Sequence, residues 1–410
     1  MKQSTLIFYN GEEAEKNILN IFESYLNKTS IFKDKNVLSH SYIPEKILHR
    51  DYEIMQLSSI LAPTLKGYKP SNIFIYGGVG TGKTVCIKQV LKQLEEVAEK
   101  NNVPIKIIYI NCKLKKVADT EYRLLSQILE SFGVAVPDTG LPTDVLYKKF
   151  FYEADKKDQT IIIVLDEIDA LVRKIGDEFL YNLTRAELEK ARISIIGITN
   201  SLTFSNELDA RVKSSLGEEE IIFKSYNAIQ LKDILKQRAS LAFYPDKITE
   251  EAISKCAALA AQEHGDARRA IDLLRVAGEI AERRGDMEVR EEHIDMAEEK
   301  INIDCAIEAI KSLPKQSQAV LYSILKIYET KGKVLTGDIF DKYKETCLKN
   351  GLRILTNRRI SDILNELEMF GIINAKLISR GRYGRTREIT ISLDSQILEY
   401  IKKNIYPNFK

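Results

Sequence analysis

A glycine-rich loop that ends in a lysine and a threonine carries the strongest chemical signal in the sequence. Residues 77–84 read Gly-Gly-Val-Gly-Thr-Gly-Lys-Thr and match the pattern G-x-x-x-x-G-K-[ST]. Glycines let backbone N–H groups converge on phosphate oxygens, and the start of a helix adds partial positive charge. Lys83 is expected to reach the β- and γ-phosphates, and Thr84 to ligate Mg²⁺. The rest of the predicted cradle for ATP or ADP consists of Gly80, Thr81, Gly82 and Val85.

A second reactive group lies 83 residues beyond Lys83, where an apolar run ends in two carboxylates. Asp166 is predicted to hold Mg²⁺ together with Thr84, and Glu167 to polarise an attacking water. An apolar strand that ends in Asp-Glu is also an ordinary solvated strand end, so this prediction depends on its pairing with the loop. Asp169 is expected to be either structural or a helix cap.

Both groups require buried parallel strands to bring them together. The candidate strands are rich in Ile and Val with little alternation, which is typical of strands covered on both faces. They lie at residues 72–76, 106–111, 160–165, 193–198 and 219–223. Helical stretches separate them, and the first follows the loop at 82–100. The pattern predicts an α/β fold with a parallel sheet wrapped by helices.

The last two regions of the chain have different patterns. From about residue 228 to 301 the sequence is purely helical, with segments at 230–244, 249–261 and 267–284. A third composition begins near residue 304, where short helices and an apolar helix precede two strand-like runs around a glycine-containing turn. Helices followed by a β-hairpin predict a winged helix. The apolar helix is predicted at residues 356–370, and the two strand-like runs at 372–379 and 386–393. The expected domains are an N-terminal segment 1–35 of unassigned role, a nucleotide-binding domain 36–226, a helical lid 227–303 and a winged helix 304–410.

The C-terminal region also carries candidate contacts to nucleic acid. Thr356 is predicted to cap the apolar helix, and Arg358, Arg359 and Ser361 lie near its first turn, where helices present side chains to bases and phosphates. The turn between the strand-like runs holds four further candidates: Arg380, Arg382, Tyr383 and Arg385. Arginines pair with phosphates or enter a narrow minor groove, although a solvated hairpin is the alternative.

Charge and composition narrow the possible partners. Residues 305–410 hold 19 Lys and Arg against 11 Asp and Glu, a balance of +8, whereas the rest of the chain has a balance of −6. This asymmetry favours a polyanionic partner for the C-terminal third, with uneven surface charge as the alternative. No run of 18 apolar residues and no signal-peptide pattern occur, so we expect no membrane partner and a cytoplasmic, nucleoid-associated protein. The five scattered cysteines are expected to be reduced packing residues.

In the region between these motifs the chain resembles the AAA+ family of ATPases. A buried run leads to Asn200, which the resemblance assigns to positioning the attacking water; alone it is an ordinary turn residue. Residues 208–215 match the family box with an arginine finger, so Arg211 is implied to act on a nucleotide in a neighbouring subunit. A surface salt bridge is its alternative role.

The same resemblance extends into the helical region. Tyr226 and Arg238 correspond to family residues that touch the bound nucleotide. Residues 265–270 match the motif G-D-x-R-x-A, so Arg268 is implied to reach the γ-phosphate, whereas Arg269 is expected to face solvent. Residues 42–50 are similar to the segment that borders the adenine, with a plain connector as the alternative.

The order of loop, acidic strand, lid and winged helix resembles the archaeal replication-origin initiators related to the largest origin recognition subunit and its helicase-loading paralogue. The stretches that carry this resemblance are residues 208–220, 365–373 and 381–386. It implies binding of duplex origin DNA, recruitment of the minichromosome maintenance helicase, and self-association or a paralogous partner on DNA. It also places a DNA-contacting insertion at residues 113–141.

Three functional hypotheses remain at this point. The first is an initiator in which ATP binding and slow hydrolysis act as a switch. The second is an AAA+ loader or regulatory ATPase whose winged helix mainly contacts protein, and the arginine-rich turn favours the first over it. The third is an inactive relative that binds nucleotide structurally, against which the intact Lys83, Thr84, Asp166, Glu167 and Asn200 argue.

Overall fold

The computed structural model describes residues 30–113, 119–332, 334–379, 385–391 and 393–409. The chain forms two compact units, Met1–Ile294 and Asp295–Lys410. The division falls within a helix that spans Glu291–Ser312, and the predicted domain limits at residues 226 and 303 stay predictions. No helix among the described residues is long and apolar enough to cross a membrane.

A parallel sheet of five strands forms the centre of the first unit. Its strands are β1 (Ile73–Gly77), β2 (Ile105–Asn111), β3 (Thr160–Asp166), β4 (Arg192–Thr199) and β5 (Glu219–Phe223), in the spatial order β2-β3-β4-β1-β5. The predicted strands agree with these limits to within one residue at each end. The predicted α/β class is therefore confirmed for this unit.

Helices cover both faces of the central strands β3, β4 and β1, which explains the lack of alternation in these strands. In β3, Ile161 and Ile163 pack into one core and Ile162 and Val164 into the other. The helices of this layer are α1 (Asp51–Leu61), α2 (Lys83–Lys100), α3 (Glu121–Ser131), α4 (Thr143–Ala154), α5 (Ile168–Ile175), α6 (Glu178–Thr184), α7 (Phe204–Glu207) and α8 (Ala210–Leu216).

Parallel pairing brings the functional candidates to one edge of the sheet. Asp166 at the end of β3 pairs in register with Asn111 and Ile198, and Tyr76 pairs with Thr199. The carboxyl ends of β1, β3 and β4 therefore meet at the same edge, which is where ligands bind in open α/β sheets.

Three helices complete the first unit before the helix at Glu291–Ser312: α9 (Ala228–Ala242), α10 (Glu250–Gln262) and α11 (Ala267–Arg284). The last matches its prediction and the other two differ by one or two residues. Side-chain caps define their first turns, since Asn227 and Gln230 form a reciprocal capping box, and Thr249 and Asp266 accept backbone N–H groups. After α12 (Glu291–Ser312), the chain continues in the second unit.

The second unit combines helices with a three-stranded antiparallel sheet, as the predicted winged helix requires. Its elements are α13 (Lys315–Lys331), β6 (Val334–Leu335), α14 (Thr336–Lys349), α15 (Asn357–Met369), β7 (Asn374–Ser379), β8 (Arg385–Thr390) and α16 (Ser395–Asn404), with strand order β6-β8-β7. The strand β6 was not predicted, because two residues are too few to show a periodic pattern.

The apolar helix of this unit is α15, and its cap is the predicted one, since Thr356 Oγ1 accepts the N–H of Arg359 at 3.4 Å. Ile360, Ile363 and Leu367 lie in the core at helical spacing. The prediction that a strand begins at residue 372 was wrong. Ile372 is buried directly after the helix and strand pairing begins only at residue 374, because the chain must first turn at Gly371, which has a positive φ of 68°.

Candidate nucleotide site and nucleic-acid interface

The glycine-rich loop connects β1 to α2, as predicted, and two of its glycines have left-handed backbones. Gly80 has φ +68° and Gly82 φ +93°. A Cβ atom on Gly80 would lie 1.6 Å from Asp266 Oδ1, and one on Gly82 would lie 2.8 Å from the Tyr226 hydroxyl. Both positions therefore require glycine for backbone conformation and for the close approach of residues that flank α9 and α11.

Lys83 is the central cation of the loop and is only 6% exposed. Its Nζ donates to the carbonyl oxygens of Gly77 and Gly78 at 2.8 and 2.7 Å, and to Asn200 Oδ1 at 2.9 Å. These three acceptors are uncharged, so none of them neutralises the ammonium. Burial lowers the pKa of Lys83 to about 8, although Asp166 opposes the shift. Asn200 thus lies beside Lys83, as the sheet order requires.

Thr84 and Asp166 lie together at the start of α2 and the end of β3. Thr84 Oγ1 donates to Asp166 Oδ2 at 3.1 Å. A hydroxyl and a carboxylate are the oxygen ligands that Mg²⁺ prefers in nucleotide sites, so this pair fits the predicted ion. Tyr109 of β2 was not among the predicted residues, and its hydroxyl donates to the same Asp166 oxygen. Burial, and next the hydrogen bond to Asp166, raise the pKa of Tyr109, so it stays a protonated donor.

Glu167 directly follows Asp166 and has a left-handed backbone, with φ 56°. Its Oε2 lies 3.2 Å from Lys113 Nζ, so its carboxylate is engaged in an ion pair in this structure. Asp169 Oδ1 accepts from Thr199 Oγ1 at 3.1 Å, which links the start of α5 to the end of β4. This contact favours the structural one of the two roles considered for Asp169.

Tyr226 and Arg238 are both buried in the wall of a cavity beside the loop. Arg238 donates to the carbonyl oxygens of Val37 and Tyr42 at 3.0 and 3.3 Å, and its guanidinium lies 4.5 Å from the centre of the Tyr42 ring. Burial lowers the pKa of Arg238. These contacts use the guanidinium to hold the segment that borders the cavity, which sequence reasoning did not anticipate.

The cavity has a volume of about 690 Å³, within the roughly 300–1,000 Å³ of small-molecule sites. Residues 79–85 of the loop and of the start of α2 line it, together with Asp166, Glu167, Asn200 and Arg268. One side is formed by residues 39–44, so the segment predicted to border the adenine does border this cavity. The structure therefore brings the predicted phosphate-binding residues and the 39–44 segment into the lining of one cavity.

Three arginines outside the loop lie in different surroundings. Arg268 is exposed in the first turn of α11 and lines the cavity. The expectation that Arg269 faces solvent was wrong: its side chain is 15% exposed and its Nε lies 2.9 Å from Glu263 Oε2. Arg211 is 84% exposed and pairs with Asp209 at 3.3 Å, outside the cavity lining. A surface position is what action on a neighbouring subunit requires, and this role stays a prediction.

The second unit presents the predicted helix residues at the start of α15. Arg358 and Arg359 are exposed, Ser361 is partly buried, and Arg359 lies 3.7 Å from Asp362. Arg387 of β8 donates to Asn365 of α15 at 2.5 Å, so the hairpin is tied to this helix. Three of the predicted contacts in the turn lie outside the described residues: Arg380, Arg382 and Tyr383. The fourth, Arg385, begins β8, but its side chain is not described.

Comparison with known proteins matches three successive stretches of the chain to family models. They are an AAA domain at residues 67–204, a Cdc6 AAA+ ATPase-type lid domain at 232–299 and a CDC6 C-terminal winged helix domain at 308–401. The ORC1-type DNA replication protein of Thermococcus kodakarensis is 51% identical over 394 residues, 94% of this chain and 93% of its own length.

A further relative and a solved structure agree with these matches. The ORC1-type DNA replication protein of Pyrococcus furiosus is 50% identical over 404 residues, 97% of this chain and 96% of its own length. The ORC1 protein of Aeropyrum pernix, solved in complex with DNA, is 43% identical with a TM-score of 0.79 and covers 93% of this chain and 99% of its own. The similarity thus extends through the sheet, the lid and the winged helix.

Proposed function

Because this chain belongs to the ORC1/Cdc6 family of DNA replication initiators, we propose that it binds duplex DNA at a replication origin in a nucleotide-dependent way. The observation that carries the proposal is the match over 93% of the chain to a protein solved with DNA, combined with an assembled phosphate cradle. ATP binding and slow hydrolysis act as the switch, and Mg²⁺ accompanies the nucleotide.

In this proposal the loop holds the nucleotide phosphates. The backbone N–H groups of residues 80–85 surround the phosphates, and the buried ammonium of Lys83 neutralises them. Thr84 and Asp166 hold Mg²⁺ through their adjacent oxygens. The base lies toward residues 39–44, where Arg238 shapes the cavity wall.

Hydrolysis needs a carboxylate that can act on water, and Glu167 is the proposed residue. Its ion pair with the largely exposed Lys113 is weak, so the carboxylate can exchange this partner for a water. Asn200 helps to position the water, and Arg268 reaches the γ-phosphate from the start of α11. Arg211 acts in trans, so a self-associated form or a paralogue on DNA supplies its target.

The winged helix is the proposed DNA-binding module. Arg358, Arg359 and Ser361 contact bases or phosphates from the first turn of α15, and the arginines of the 380–385 turn contact the backbone or a minor groove. The bound initiator then recruits or loads the minichromosome maintenance helicase and acts in association with the nucleoid.

Fluorescence anisotropy on labelled origin-derived and scrambled duplexes tests this function, in ADP and in ATP and over a range of salt. The variant Arg358→Ala/Arg359→Ala should weaken origin binding. The control Lys148→Ala/Lys149→Ala removes the same charge from the exposed face of α4 and should leave origin binding unchanged. Equal losses of origin affinity in both variants would show that binding depends only on the net charge of the protein. Binding that is identical in ADP, in ATP and without nucleotide would contradict the switch.

A specific observation favours the alternative of a winged helix that contacts protein. Met369, at the end of α15, is 83% exposed, and Phe370 and Leu377 nearby in sequence are also exposed. Apolar anchors of this kind are typical of protein interfaces. A chain that binds no duplex in any nucleotide state, and whose helicase binding is lost in Met369→Glu, would establish this alternative instead.

A further inference from the structure

Arg50 is a buried cation without an assigned role and is only 3% exposed. It immediately precedes α1, in the stretch that sequence analysis could interpret only as a border of the adenine or a connector. A buried charge is unfavourable unless it is paired and hydrogen-bonded. Its partners therefore indicate why an arginine stands at this position.

The guanidinium of Arg50 joins two segments that are far apart in sequence. Its Nε donates to the carbonyl oxygen of Thr81 in the phosphate loop at 2.9 Å. Its Nη2 donates to the carbonyl oxygen of Lys224 at 2.5 Å, in the segment that connects β5 to α9. Its Nη1 lies 3.0 Å from Glu53 Oε1, which balances the charge. The planar guanidinium places these three contacts on three separate nitrogens, a spread that an ammonium cannot reproduce because its donors share one nitrogen.

The bond to Thr81 also orients a group that the phosphate cradle uses. The peptide unit is planar and trans, so the carbonyl of Thr81 and the N–H of Gly82 point in opposite directions. Since Arg50 holds the carbonyl on one side, it sets the direction of the Gly82 N–H on the other. The loop therefore cannot rotate this peptide unit without changing the contact with Arg50.

The residues around Arg50 extend the link to the helices after β5. Its guanidinium lies 4.0 Å from the centre of the Tyr226 ring. The Tyr226 hydroxyl closely approaches Gly82, and its backbone closely approaches Gly265, just before α11. The preceding residue, His49, has a positive φ of 60°, and its Nε2 lies 2.9 Å from Asp233 of α9. The side chain of Arg50 thus contacts the phosphate loop, and the adjacent side chain of His49 contacts α9.

We propose that Arg50 is a positioning residue that couples nucleotide binding in the phosphate loop to the conformation of the 224–227 segment and of the lid helices α9–α11. This inference rests on the proposed nucleotide function. A phosphate that fixes the Gly82 peptide also fixes the Thr81 carbonyl, and Arg50 transmits that restraint to Lys224 and Tyr226. Without the guanidinium, the loop still binds phosphate, but the conformation of the 224–227 segment no longer responds to nucleotide binding.

Hydrogen exchange with ADP as the probe tests this coupling. In the wild-type protein, ADP should slow exchange of the backbone amides of residues 225–227. In Arg50→Lys, which keeps the charge but loses the fork, this ADP-dependent protection should disappear. The affinity for ADP should fall by about tenfold, since one charge-assisted contact network is lost while Lys83 remains.

A control separates coupling from damage to the fold. Leu124 of α3 is a core residue that does not line the nucleotide cavity, so Leu124→Ala leaves a void in the core and should keep ADP-dependent protection despite a lower melting temperature. If Arg50→Lys does not fold, Arg50→Met/Glu53→Leu replaces both charges by apolar side chains, which is often tolerated. It should also bind ADP without protecting residues 225–227.

The outcomes distinguish the inference from the function on which it rests. A wild-type protein that does not bind ADP would contradict the proposed nucleotide function and the coupling together. A wild-type protein that binds ADP, with a variant that retains full protection of residues 225–227, would overturn the coupling alone. Loss of protection in Leu124→Ala as well as in Arg50→Lys would assign the effect to stability and also overturn it.

Discussion

Lys83 is the residue on which the nucleotide proposal most directly depends. Its ammonium is buried and is bonded to neutral oxygens, so a phosphate would be its counter-charge. Lys83→Ala should reduce ADP affinity by about a hundredfold or more, since a buried charged contact is removed. Lys92→Ala removes an exposed lysine from the same helix and serves as the matched control. Titration of a fluorescent ADP analogue gives both affinities, and an unchanged affinity in Lys83→Ala would reject the assignment of the loop.

The lowered pKa of Lys83 predicts a pH dependence of nucleotide binding. In the folded protein this pKa is about 8, against 10.5 for an ordinary lysine, because burial disfavours the charged form. Phosphate binds the charged form, so ADP affinity should be constant below pH 8 and fall by up to about tenfold per pH unit above it. The unfolded chain holds the proton more tightly, so the free energy of unfolding should rise with pH between 8 and 10.5.

Calorimetric ADP titrations between pH 7 and 10 would measure this dependence. The phosphates of ADP are already ionised over most of this range, so the change belongs to the protein. Lys92→Ala should show the same pH profile as the wild-type protein, because its substitution leaves the buried ammonium in place. A flat profile up to pH 9.5 would show that the Lys83 pKa in solution is not lowered.

The sequence could place individual residues only where a motif fixed their neighbours. Asn200 was assigned only through the family resemblance, and its contact with Lys83 is seen only in the structure. Tyr109 and Arg50 carried no such signal, because their partners Asp166 and Thr81 are contacted only once β2 lies beside β3 and α1 packs near the loop. Strand order and helix packing are tertiary properties that residue spacing does not contain.

At the scale of elements, the close contact between the phosphate loop and the start of α11 is the feature most open to test. Gly80 has a left-handed backbone, its carbonyl accepts the Ala267 N–H at 3.3 Å, and a Cβ there would overlap Asp266. Asp266 in turn caps α11. Gly80→Ala should therefore displace the start of α11, lower the melting temperature by several degrees and weaken ADP binding.

Gly78→Ala is the matched control for this substitution. A Cβ at Gly78 would lie 3.8 Å from the Thr81 side chain, an ordinary contact, and it should leave both properties nearly unchanged. Thermal unfolding with and without ADP measures the two effects. Equal behaviour of the two variants would mean that α11 does not need its contact with Gly80.

The elements that the sequence predicted best were those whose pattern is set by burial alone. The central strands β3, β4 and β1 are buried on both faces, so each is a largely apolar run with clear limits, whereas the edge strands β2 and β5 are partly exposed. The antiparallel hairpin was less well predicted, because Ile372 and Ile373 are as apolar as a strand but belong to the turn after α15. Apolar runs of two residues do not distinguish these cases.

At the scale of the whole molecule, the charge is divided between regions with different proposed partners. The C-terminal residues 305–410 have a balance of +8 and the remainder −6, so a polyanion is attracted to one part of the chain. The family match through the winged helix makes duplex DNA the proposed polyanion. Salt dependence is then the measurement that separates phosphate contacts from other ways of holding DNA.

Arg382 and Arg385 lie in the arginine-rich turn and are proposed to contact DNA phosphates. Each phosphate contact releases condensed counterions, so log K falls with log salt by about 0.9 per contact. Arg382→Ala/Arg385→Ala should weaken duplex binding and flatten this slope by up to about 1.8, equally on origin and scrambled sequences if the contacts are only to the backbone. Lys148→Ala/Lys149→Ala, with the same loss of charge in α4, should keep the slope. An unaltered slope in the turn variant would reject the phosphate role of the wing, and a flattened slope with loss of origin preference would show that these arginines also read the groove.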